Sequence, residues 1–200
     1  MSEASDHTEL YEAAVEADNR DYCAAAVALF EQFLSTHPDH AFARFRYAQN
    51  LLAIGRISDA ERHLLLAQQQ GTPPEKRWLL DLMYGEIKKN RGDFAAAEAD
   101  FRLAADKRPD STVPWIYLAG ALAKQERFAE ACDILRRALS ADGDIDEVYL
   151  NLGNNLRALG DYAAARQCYV RAFEFTAEHY KEAEQALKDL DFLNAPDKKG

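Results

Sequence analysis

Residues 149–172 read YLNLGNNLRALGDYAAARQCYVRA, and the spacing within them decides the fold. Tyr149, Leu152-Gly153 and Leu156 recur three and four apart, the period of one face of an α-helix. Gly160 follows where the chain must reverse, because a left-handed backbone is sterically cheap only for glycine. Tyr162, Ala165, Tyr169 and Ala172 then resume the helical period. The segment therefore predicts two helices joined by a tight turn. Two helices close only where one backbone approaches the other, so Ala or Gly belongs at the crossing. Larger side chains fill the space between successive hairpins.

Working outward, the pattern returns at a step of 34 residues: Ala97, Ala131 and Ala165 form one series, and Ala104, Ala138 and Ala172 another. Phe94, Phe128 and Tyr162 keep the same step, as do Phe101, Leu135 and Tyr169. Nearer the start, Ala14 matches Ala48 and Ala26 matches Ala60. A period held by both small and large residues marks a repeat array. Gly55 and Gly92 are predicted turns like Gly160, and Pro38 and Pro109 end second helices. The resulting repeats are 7–40, 41–74, 78–111, 112–145 and 146–179, in a single array spanning 7–193. Glu75-Lys76-Arg77 is an insertion, expected to lengthen a loop or extend the next helix by about a turn. The first repeat departs most, with Asp21 at the turn and Phe33 at a crossing position. Residues 180–193 predict one more amphipathic helix, with Ala183, Ala186, Leu187 and Leu190 on one stripe, expected to cap the last hairpin. The polar residues 194–200 are expected to be a disordered tail.

Composition agrees with an all-α chain. Only nine Gly and six Pro occur in 200 residues, and no stretch alternates apolar with polar residues long enough to suggest strands. Lys and Arg total 24 against 34 Asp and Glu, so the formal charge is −10 and broad nucleic-acid binding is not expected. No apolar run approaches the ~20 residues of a membrane span, and the acidic N-terminal stretch lacks the marks of a signal peptide. Cys23, Cys132 and Cys168 are in no paired spacing, which suits a reducing compartment. A cytoplasmic protein is the expectation.

These residues resemble the tetratricopeptide repeat family. The fifth repeat carries the family pattern in Tyr149, Leu152-Gly153, Leu156, Gly160, Tyr162, Ala165, Tyr169 and Ala172, with Ala177 in the proline slot. The fourth carries it in Trp115, Leu118-Ala119, Leu122, Phe128, Ala131, Leu135 and Ala138, and the third in Tyr84-Gly85, Gly92, Phe94, Ala97, Phe101, Ala104 and Pro109. The resemblance implies a right-handed α–α superhelix of about five repeats, whose first helices line a concave groove. Carried over to this chain, it implies partner contacts from Tyr11, Phe42, Phe45, Gln49, Leu82, Glu86, Lys89, Ile116, Lys124, Asn154 and Arg157. Leu52, Leu79, Val113 and Leu150 lie on the same face, giving a long apolar strip with a few polar points. Part of such a strip packs against neighbouring first helices in one reading; in the other, which the filled core positions favour, it holds an extended or helical segment of a partner. Asn151, Asn154 and Asn155 form the most suggestive polar cluster, since an amide donates and accepts at once and can read a peptide backbone.

Motifs of chemistry are missing. No HExxH, GxSxG, Walker-type or GxGxxG sequence occurs. His37 and His40 flank a predicted loop without further metal ligands, and the cysteines read as small apolar core residues. No cofactor, metal or catalytic residue is expected. The expected function is a scaffold or adaptor for a protein or peptide partner. A dedicated chaperone for a secreted or assembling client, and a recruiting subunit of a separate enzyme, are the alternatives. Charge is uneven: residues 1–40 carry nine acids and one Arg, whereas 41–77 carry six basic and three acidic residues. Such a dipole can steer a charged partner or a second copy of the chain.

Overall fold

The computed structural model describes residues 3–175 and 180–193. Among them are eleven α-helices: α1 (Glu3–Asn19), α2 (Cys23–Thr36), α3 (Ala41–Ala53), α4 (Ile57–Gln69), α5 (Arg77–Asn90), α6 (Phe94–Lys107), α7 (Thr112–Lys124), α8 (Phe128–Ala138), α9 (Ile145–Ala158), α10 (Tyr162–Phe175) and α11 (Tyr180–Leu193). The described residues contain no strand. The inserted Glu75-Lys76-Arg77 neither forms an open loop nor adds a full α-turn; Pro74–Lys76 is a short 3₁₀ turn, and α5 begins at Arg77.

The chain divides into two compact units, Met1–Arg91 and Gly92–Gly200, with the boundary in the turn of the third repeat. In the first unit α1 pairs with α2 and α3 with α4, while α2 packs on α3 and α5 on α4. In the second, α7 pairs with α8 and α9 with α10, flanked by α6 on α7 and α11 on α10.

The turns explain why the hairpins close where they do. Gly55, Gly92 and Gly160 all have positive φ, at 79°, 83° and 82°. Asp21 and Glu126 stand at the same place in their repeats and adopt the same backbone, φ 57° and 60°. The turn geometry is thus set by helix pairing, and glycine only removes its cost. The alanine series Ala97, Ala131, Ala165 and Ala104, Ala138, Ala172 are fully buried, as are Ala14, Ala26, Ala48 and Ala60. Phe101, Leu135 and Tyr169 fill the matching large positions with no exposure.

At Gly153 the crossing is tight enough that an added Cβ would stand 2.5 Å from the Tyr169 ring, which only a missing side chain permits. Phe33, at the odd crossing of the first repeat, is buried and stacks on His37 at 4.5 Å. On α11, Ala183, Ala186 and Leu190 are buried and the helix packs on α10. Ala177, His179 and the tail 194–200 lie outside the described residues.

Candidate partner-binding surface

The face expected to bind a partner is largely used by the fold. Phe45, Leu82 and Ile116 are buried, as are Leu52 and Leu150. The expectation of a continuous exposed apolar strip is therefore corrected: an apolar first-helix residue gains more by closing against its neighbours than by facing water. Tyr11 is half-buried and belongs to the core of the first unit, its ring 5.1 Å from Phe33 and 5.2 Å from His40. Burial pushes its hydroxyl pKa up.

The polar positions divide in the same way. Gln49, Lys124 and Asn154 are exposed. Glu86 and Lys89 are half-buried and pair with each other at 3.6 Å. Arg157 lies 3.8 Å from Asp189 of the capping helix, so α11 reaches one of the proposed contact positions. The asparagine cluster also splits. Asn155 is buried and donates to the Asn151 carbonyl at 2.8 Å, and Asn151 donates to the Glu147 carbonyl at 2.9 Å. Asn154 projects outward while its Oδ1 accepts from the Tyr169 hydroxyl at 2.9 Å. Of the three residues, Asn154 is exposed, Asn151 half-buried and Asn155 buried.

In the first unit the residues Phe42 and Phe45 do come together with parts the repeat pattern did not single out. They stack 6.3 Å apart and, with Ala41, Thr72, Pro73, Lys76 and Leu79, line a small cavity of about 40 Å³. Phe45 forms its buried floor, and Phe42, 36% exposed, forms a wall. The Lys76 ammonium lies over the Phe42 ring, 3.6 Å from its centroid, a cation–π contact supplied by the insertion. A signal for Lys76 was present in the sequence: three surplus residues at a repeat junction, directly after Gly71-Thr72-Pro73-Pro74.

Beside this cavity a polar network ties α1 to α3. Arg46 binds Asp18 at 3.0 Å and donates to Asn19 at 3.0 Å, and Asn50 donates to Asp18 at 2.7 Å. It satisfies the polar first-helix side chains of the first repeat internally. On the far side of α3, buried Arg44 reaches His63 at 3.1 Å, Gln70 at 3.3 Å and the Pro38 carbonyl. Burial and the neighbouring Arg44 hold the His63 pKa down at about 4.

Cys132 and Cys168 are buried and their thiol pKa values are raised by that burial. His40 caps α3 by accepting from the Ala43 amide at 3.0 Å. No group of three or more His, Cys, Asp or Glu suited to a metal occurs among the described residues. Among the same residues no helix is long and apolar enough to cross a membrane.

Comparison with known proteins accounts for the repeat geometry. None of the curated proteins matches the chain in sequence. Among solved structures, a thermophilic tetratricopeptide protein of Thermus thermophilus is similar at TM-score 0.76 and 17% identity, over 91% of this chain and 99% of that one. A tetratricopeptide repeat protein from Parabacteroides merdae is similar at TM-score 0.77 and 16% identity, over 92% of this chain and 71% of its own. YrrB, described as a tetratricopeptide protein with an unusual peptide-binding site, gives TM-score 0.59 and 16% identity over 88% of each chain. At these identities the likeness shows the fold. Tetratricopeptide repeat models match residues 20–75, 91–152 and 146–179, which together span more than half of the sequence, and the chain belongs to the tetratricopeptide repeat family.

Proposed function

We propose that the protein is a non-catalytic scaffold or adaptor that holds a peptide segment of another protein on the first-helix face of its repeats. The observation that carries this reading is the cavity at Phe42 and Phe45, which the chain's own side chains line but do not fill. Tetratricopeptide proteins are interaction modules, and one structural neighbour is named for a peptide-binding site. Exposed Gln49 supplies a polar group on the same helix as Phe42 and Phe45, suited to fixing a main chain while the apolar contact supplies affinity; exposed Lys124 and Asn154 offer such groups on first helices of the second unit.

The test replaces Phe42 with Ser and Asn154 with Asp in a chain whose helical circular dichroism is unchanged. Loss of the partners captured by the parent chain supports the reading, and an unaltered set of partners overturns it. Phe45 is a poor choice for the same experiment, because its burial couples binding to folding.

A further inference from the structure

The geometry points to a specific partner class for the Phe42–Lys76 cavity: an internal peptide segment in which a small aliphatic side chain is flanked by Asp or Glu. This rests on the peptide-scaffold reading above and narrows it. The cavity of about 40 Å³ accommodates the branched tip of Val or Leu. A ring requires far more space, on the order of 150 Å³ for benzene. Its walls are mostly apolar, from Ala41, Phe42, Phe45, Pro73 and Leu79, so the inserted group is apolar.

The acidic flanks follow from charge. Residues 41–77 carry six basic and three acidic side chains in a chain whose net charge is −10. Three of these six cations already have carboxylate partners: Arg46 pairs with Asp18, and Arg56 and Arg62 share Asp59. Arg44 is buried. Lys76 has no carboxylate partner among the described residues and lines the cavity, its ammonium over the Phe42 ring; Arg77, exposed, follows it in sequence. An ammonium held over an aromatic face keeps donors turned to solvent, and a carboxylate arriving beside the filled cavity completes it. Lysine acts as a compact point charge, which pairs with a carboxylate without demanding bidentate geometry. A free chain terminus is commonly enclosed by several donors, and here Arg46 is already taken up by Asp18 and Asn19.

The test is selection of random blocked dodecapeptides on the intact chain, with a representative winner resynthesised with acetyl and amide ends for anisotropy titration. The expected winners carry Val, Ile or Leu with Asp or Glu within two positions. Affinity should fall about tenfold for Lys76→Met, which keeps the aliphatic stem, and further for Lys76→Glu. Winners without acidic residues, or affinity indifferent to Lys76→Met, overturn the inference. So does a requirement for a free C-terminus, or self-association of the chain that Lys76→Glu abolishes in light scattering. Peptides insensitive to Lys76 but lost in Asn154→Asp would remove this cavity and leave the scaffold reading intact. Failure to enrich any peptide would remove both.

Discussion

Single residues carry the tightest constraints. At Gly153 the absence of a side chain lets Tyr169 lie across α9 and donate its hydroxyl to Asn154. Gly153→Ala forces a methyl to 2.5 Å from that ring, so the hairpin must open. The expected loss is about 1–3 kcal/mol in urea unfolding, the range for overpacking a closed site. Because Tyr169 also holds Asn154, the same change should weaken any partner that uses this amide. Glu126 presents the opposite case. Its left-handed backbone, φ 60°, is adopted by a residue with a Cβ. Glu126→Gly should therefore raise the melting temperature, by a stabilisation of up to about 1 kcal/mol once the greater freedom of unfolded glycine is subtracted. A fall in Tm would show that the turn strain is relieved in some other way.

Pairs of helices set the pH response. Burial, reinforced by the facing Arg44 of α3, holds the folded pKa of His63 in α4 at about 4 against an ordinary value of 6.5. Between those values the unfolded chain binds the proton and the folded chain does not. The contribution of this joint is therefore fully present above about pH 6.5, is lost progressively as pH falls toward 4, and changes no further below that. Thermal melts across this window should show a falling Tm, and His63→Gln, which keeps an acceptor for Arg44, should flatten that part of the curve. At the other end, α11 covers α10 with Ala183, Ala186 and Leu190. Chains ending at residue 179 should melt earlier and self-associate in size-exclusion light scattering, since the uncovered face of α10 would meet water.

For the molecule as a whole, charge and exposure decide what it can hold. The chain is acidic overall, yet the one apolar cavity argued to receive a partner is lined by Lys76, a cation with no carboxylate partner among the described residues. Partner binding there should weaken as salt rises from 50 to 500 mM, because an exposed ammonium–carboxylate contact is screened over about a Debye length. Salt-insensitive binding would place the energy elsewhere on the repeats.

Sequence alone determined the helices, their hairpin pairing and the step of 34, because a crossing that admits only Ala or Gly leaves a mark at every turn of the array. It also placed the first repeat's turn, where Asp21 keeps the position although not the residue; Glu126 takes the same backbone in the fourth repeat. Which first-helix side chains are free was not legible. Phe42 and Phe45 are the same residue type three positions apart, yet one is 36% exposed and the other 7%. That difference is made by what packs against them from other helices, which periodicity within one helix does not encode. The same holds for Lys76, whose place over an aromatic ring was set by the fold of a three-residue insertion that belongs to no repeat.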